Sequence, residues 1–113
     1  MTDQPPPEQY LYLTTTGRRT GRPHQIEIWF VEHQGCCYLA AELRERADWV
    51  QNIQHNPAVT VRVGVRVFAA TGRVVDQVAE PERAAAVRAL MDAKYGWSDG
   101  LLVELCPAAE PAP

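Results

Sequence analysis

The chain has 113 residues, 46 % of them apolar, and a formal net charge of −3. That is the size of one domain with a single modest core, so a large ligand must lie in a surface groove or between subunits. The acidic balance gives no general pull toward nucleic acid or an anionic membrane. No run approaches the roughly 18 apolar residues of a membrane span, and the polar start does not read as a secretory signal. A cytoplasmic location is the expectation.

Residues 1–9, with Pro5, Pro6 and Pro7 in a row, read as a disordered tail. Residues 10–106 read as the folded domain, and the Ala/Pro-rich 107–113 as a second disordered tail. Tyr10, Tyr12 and Thr14 alternate with Leu11, Leu13 and Thr15, a strand pattern. Gly17 to Pro23 is a turn with two glycines. His24 to Glu32 alternates as one strand, with Ile26, Ile28 and Phe30 on one face and Trp29 on the other. Gln34-Gly35 turns the chain into a strand over Cys36 to Ala41. Asp48 then caps a helix bearing Trp49, Val50 and Ile53. Asn56-Pro57 ends it, because the residue before proline is pushed out of the helical region.

Val59, Val61, Val63, Val65 and Val67 alternate with polar residues or glycine, and Gly64 marks a hairpin or a bulge. Strand character continues through Phe68 to Val75. Glu80-Pro81 opens a second helix with proline in its first turn. Val87, Leu90 and Met91 form its apolar stripe, and Gly96 stops it. Leu101 to Cys106 is the last strand. Short turns imply antiparallel pairing. About six strands and two helices fit an α+β fold, a small antiparallel split barrel whose closure removes exposed edges.

The three cysteines, Cys36, Cys37 and Cys106, show no framework spacing. They read as reduced, buried thiols. A metal site from His33, Cys36 and Cys37 is disfavoured, since no second ligand group has zinc-like spacing. GxSxG, GxGxxG, P-loop and HExxH motifs are missing, and Ser98 is the one serine, which speaks against a hydrolytic triad.

Three segments could carry chemistry. From Thr14 to His24 the chain holds Arg18, Arg19, Arg22 and His24, with no acidic residue between Glu8 and Glu27. Glycines let backbone N–H groups approach an anion, and arginine's fork suits phosphate or carboxylate oxygens. A solvated arginine-rich turn explains the same residues. In the second segment, a strand ending in Ala40-Ala41 leaves room for a flat ring. It continues through Arg44 and Arg46 to a helix start that favours anions. Third, Lys94-Tyr95-Gly96-Trp97 either walls a substrate pocket or seals the barrel.

Taken together, Leu13-Thr14-Thr15-Thr16-Gly17-Arg18-Arg19-Thr20-Gly21-Arg22-Pro23, Trp29-Phe30, Tyr38-Leu39-Ala40-Ala41, Asp48-Trp49, Asn52-Ile53 and Asn56-Pro57-Ala58-Val59 resemble the deazaflavin-dependent nitroreductase family. That family is a branch of the split-barrel flavin and deazaflavin oxidoreductases, related to pyridoxamine-phosphate oxidases. The resemblance implies coenzyme F-420 as cofactor, with FMN as the alternative. It also implies hydride transfer to a small electron-poor acceptor such as a quinone, enone or nitroaromatic. It places Arg18, Arg19 and the small Ala40 and Ala41 near the anionic tail, Trp29 and Trp49 near the ring, and Asn52 as a contact. His24 stands where an arginine is common. Arg44 or Arg46 would replace the lysine of the family's Ser/Gly-rich loop, here Glu42-Leu43-Arg44-Glu45-Arg46. Tyr95 is the candidate catalytic residue, orienting the acceptor. A homodimer and a non-catalytic binder of a planar ligand such as haem stay open.

Overall fold

A computed structural model of the chain describes residues 8–108. Its strands are β1 (Tyr10–Thr16), β2 (Pro23–Trp29), β3 (Val31–His33), β4 (Cys36–Ala41), β5 (Ala58–Val63), β6 (Arg66–Val74) and β7 (Leu101–Pro107), and its helices are α1 (Asp48–His55) and α2 (Pro81–Tyr95). A 3-10 turn at Arg44–Arg46 precedes α1. All strands join one antiparallel sheet in the order β2-β1-β5-β6-β7-β4-β3.

β2 and β3 are the two edges of this sheet, yet Phe30 alone separates them in the chain. The sheet must curl until its edges come together, and that makes the split barrel. The single strand expected from His24 to Glu32 is thus two, and the strand count is seven rather than about six. The alternation runs unbroken through Phe30, so the period does not report the bend. The bend frees the Phe30 backbone from the ladder, and α2 supplies its partners. The Phe30 N–H donates to the Tyr95 hydroxyl at 2.9 Å, and the Phe30 carbonyl accepts from Lys94 Nζ at 3.0 Å. The Tyr95 hydroxyl oxygen lies 2.8 Å from the carbonyl oxygens of both Gln9 and Phe30, either of which can accept its proton.

The strands alternate between two apolar clusters. Inside the curl, Leu11, Leu13, Phe30, Leu39, Val61, Val103 and Leu105 pack together, and α1 adds Val50 and Ile53. Outside it, Tyr38 and Leu102 meet Ala84, Val87 and Met91 of α2. β4 and β7 are therefore covered on both faces. Leu90, expected on the α2 stripe, is exposed instead. The buried positions 84, 87 and 91 follow the helical repeat, and Leu90 falls off that line. Gly96, with φ at 71°, ends α2 in the left-handed conformation that favours glycine. α1 begins at Asp48 with Ala47 in the cap position, so Asp48 is not the cap but the first helical residue.

Polar side chains also pin α2 to the sheet. Buried Glu104 accepts from Tyr38 Oη at 2.6 Å and from Arg73 Nε at 2.7 Å. Arg73 reaches Glu80 at 2.6 Å, and Arg83 joins Glu80 at 2.9 Å and Tyr38 Oη at 2.7 Å. Burial would push the Glu104 carboxyl up, but the bonds from Arg73 and Tyr38 and the arginine charges hold it below its ordinary value.

The expectation of reduced thiols fails for two cysteines. Cys36 and Cys106 form a disulfide with Cα atoms 4.4 Å apart. The β4–β7 register sets Cys37 opposite Leu105, which brings Cys36 opposite Cys106. Seventy residues separate the pair in sequence, and spacing alone does not reveal such a cross-strand match. Cys37 fits the expectation: it is a buried free thiol, pushed up to about 11 by burial.

β7 continues through Pro107, one residue beyond the expected domain end. Glu8, Gln9 and Ala108, expected in the tails, are also tied to the fold, through Lys94, Tyr95 and Ala69, and the remaining tail residues, 1–7 and 109–113, lie outside the described residues. Among the described residues, no helix is long and apolar enough to cross a membrane.

Candidate functional site

The β1–β2 turn is shaped by its own backbone. The Gly17 N–H donates to the Arg22 carbonyl at 2.8 Å, and the Gly21 N–H donates to the Gly17 carbonyl at 2.9 Å. At Gly17 an added Cβ would sit 2.7 Å from Nε2 of His24 and 3.2 Å from the Arg22 carbonyl oxygen, so a larger residue would displace the His24 ring from this place. The turn then docks on α1. Asn52 Oδ1 accepts from the Arg18 backbone N–H at 3.2 Å and from Arg18 Nη1 at 2.8 Å. Asn52 Nδ2 donates to Thr15 Oγ1 at 3.2 Å. Arg18 also pairs with Asp48 at 3.2 Å.

This arrangement lines a polar cleft of about 420 Å³ with Arg18, Arg19, His24, Asp48, Trp49 and Asn52. Arg18 and Asn52 spend their polar groups on each other. Arg19 and His24 make no side-chain hydrogen bond or ion pair among the described residues, so they are the groups that can turn to an anion. Asp48, read from sequence as a cap, instead offsets Arg18; spacing along the chain gives no sign of that pairing.

A second cleft, of about 590 Å³, opens beside the first and shares Trp49 with it. It is lined by Ile28 and Trp29 of β2, Ala40 and Ala41 of β4, Trp49, Met91, Tyr95 and Trp97. Glu42, Leu43 and Ala47 complete it. The Trp29 and Tyr95 rings stack, with centroids 4.4 Å apart and planes 4° from parallel. Trp97 meets Trp29 edge-on at 6.5 Å. Gly100 lies behind the Ala40-Ala41 shelf, where a Cβ would be 2.9 Å from the Ala41 carbonyl oxygen. Burial raises the Tyr95 phenol above its ordinary value, so it is neutral near pH 7.

The basic turn lines the polar cleft and the segment after β4 lines the apolar one, and Trp49 borders both. Of the residues singled out from sequence, Arg18, Arg19, His24 and Asn52 line the polar cleft, Trp29, Ala40, Ala41 and Tyr95 line the apolar one, and Trp49 lines both. Arg44 and Arg46 line neither cleft. Arg44 pairs with Asp99 at 3.3 Å, and Arg46 is exposed in the 3-10 turn. Ile28 and Met91 were not foreseen: apolar residues in a strand or a helix stripe read as core, and sequence does not say which such positions face a cleft.

A family model described as F420H(2)-dependent quinone reductase matches residues 3–99. The chain belongs to that family. The F420H(2)-dependent quinone reductase family is the kind of deazaflavin reductase that the sequence resembled, and the split barrel is its shared frame. Among solved structures, HutZ, the heme storage protein from Vibrio cholerae, superposes with a TM-score of 0.71 at 21 % identity, over 92 % of this chain and 84 % of that one. An F420-H2 dependent reductase, FDR-A, gives 0.58 at 20 % identity, over 86 % and 93 %. A pyridoxamine 5'-phosphate oxidase-like protein from Listeria innocua gives 0.66 at 15 % identity, over 89 % and 85 %. At these identities the three share the fold with this F420H(2)-dependent quinone reductase family member.

Proposed function

We propose that this protein is an F-420-dependent oxidoreductase that reduces a small electron-poor acceptor such as a quinone, enone or nitroaromatic. One observation carries the reading: an apolar cleft walled by aromatic rings and a basic cleft share Trp49 in their walls. That profile fits a planar ring system attached to an anionic tail.

In this reading Arg19 and His24 hold the anionic tail, while Arg18, tied to Asn52 and Asp48, fixes the turn that presents them. Ala40 and Ala41, backed by Gly100, leave the floor low enough for a flat ring. The bound reduced cofactor supplies a hydride to the acceptor, and water supplies the accompanying proton. Trp29 and Tyr95 form a rigid wall that excludes solvent and aligns the acceptor. Because the Tyr95 hydroxyl is held by backbone groups, its role is to position through its ring. Trp29 and Leu43 remain exposed at the rim, which favours a second copy of the chain over the cleft. A cytoplasmic location belongs to the same proposal, and there the Cys36–Cys106 pair would meet a reducing environment.

Titration of the purified protein with F-420, FMN and haem, followed by tryptophan and ligand fluorescence or absorbance, tests the reading. F-420 is expected to bind tightest, and Arg19→Ala to weaken it about ten-fold, the loss of one charge-assisted contact. FMN binding tighter than F-420 with turnover would replace this reading with the FMN enzyme, and FMN or haem binding tighter with no turnover across an acceptor panel would replace it with the non-catalytic carrier.

A further inference from the structure

The two clefts differ in the unpaired charge that lines them: Arg19 borders the polar cleft and Glu42 the apolar one. Glu42 is the only acidic or basic residue among those that line the apolar cleft. It has no hydrogen bond or ion pair among the described residues. The nearest cation along the chain, Arg44, is drawn to Asp99 instead, 3.3 Å away. The loop that presents Glu42 turns sharply at Arg44, whose φ is 54°. Nothing in this cleft would neutralise a negatively charged occupant.

We propose that Glu42 sets the charge of the acceptor. The apolar cleft admits neutral or cationic planar acceptors and rejects anionic ones, while anionic groups are sorted to the basic cleft. The proposal rests on the reading that planar rings occupy the apolar cleft, and it assigns that site a substrate class. A single carboxylate about 6 Å from a bound charge, in surroundings between protein and water, separates a cation from an anion by about ten-fold or more.

The test is binding to the purified full chain, without cofactor. All three tryptophans of the sequence, Trp29, Trp49 and Trp97, line this cleft, so intrinsic fluorescence reports directly on it. N-methylphenazinium serves as the planar cation and anthraquinone-2-sulfonate as the planar anion. The wild type is expected to favour the cation. Glu42→Gln is expected to lower the ratio of sulfonate to cation dissociation constants about ten-fold, and Glu42→Lys to invert the preference. Glu42 is exposed and unpartnered, so both variants are expected to keep the wild-type melting temperature. A ratio that stays within two-fold in both variants overturns the proposal, as does a wild type that binds both probes alike. Since F-420 is absent from this experiment, its outcome and that of the F-420 titration stand apart.

Discussion

Asn52 is the joint between the basic turn and α1, and truncating it has a calculable cost. The residue is 4 % exposed. Asn52→Ala removes the acceptor for the Arg18 backbone N–H at 3.2 Å and for Arg18 Nη1 at 2.8 Å, together with the donor to Thr15 at 3.2 Å. Neutral bonds contribute about 1 kcal/mol each and the charged one about 1.5–3 kcal/mol. The sum is about 3.5–5 kcal/mol. Arg18 keeps Asp48 and is partly open to water, which lowers the expected loss to about 2–4 kcal/mol. In a domain of this size that is a fall in Tm of about 8–16 °C, read by far-UV circular dichroism. F-420 affinity should fall in the same variant, because the turn bearing Arg19 loses its anchor. Asn52→Asp keeps the acceptor and strengthens the pair with Arg18, so it should recover most of both. A melting shift below about 2 °C for Asn52→Ala, or an Asn52→Asp variant no better than the alanine, would refute the joint.

Two other perturbations follow from the covalent and ionic ties. Cys36→Ser opens a loop that spans a sequence separation of 70, which in the chain-entropy treatment costs up to about 4 kcal/mol; equal melting midpoints with and without a thiol reductant would show that the bond contributes nothing. Glu104 is held below its ordinary carboxyl value in the fold, so its stabilisation is full above about pH 4.5 and disappears as pH falls further. Glu104→Gln should flatten that acid limb in melts between about pH 6 and pH 3, and an unchanged limb would place acid sensitivity elsewhere.

Much of the fold was legible because alternation and turn residues are local signals. The valine run from Val59 to Val67 and the Gly64 hairpin became β5 and β6, and Pro81 and Gly96 bound α2 as expected. The misreadings came from features that depend on distant partners. Phe30 looks like any inward strand residue until the sheet order places its neighbours on opposite edges. Cys36 and Cys106 look unrelated until β4 and β7 pair. The site shows the same division. Arg18 and Arg19 are adjacent and alike in sequence, but α1 captures the first and leaves the second free. Arg44 looked available until Asp99, on the far side of α2 in the chain, claimed it.

The seam at Phe30 ties the binding wall to the cooperativity of the whole domain. α2 closes the seam through Lys94 and Tyr95, and that same tyrosine stacks on Trp29. Any excursion that lifts the end of the helix would strip the Phe30 amide of its partner and dismantle the aromatic wall in one motion. Ligand held against that wall therefore works as a clasp on the closed sheet, and the Phe30 amide should be among the slowest to exchange when the apolar cleft is filled.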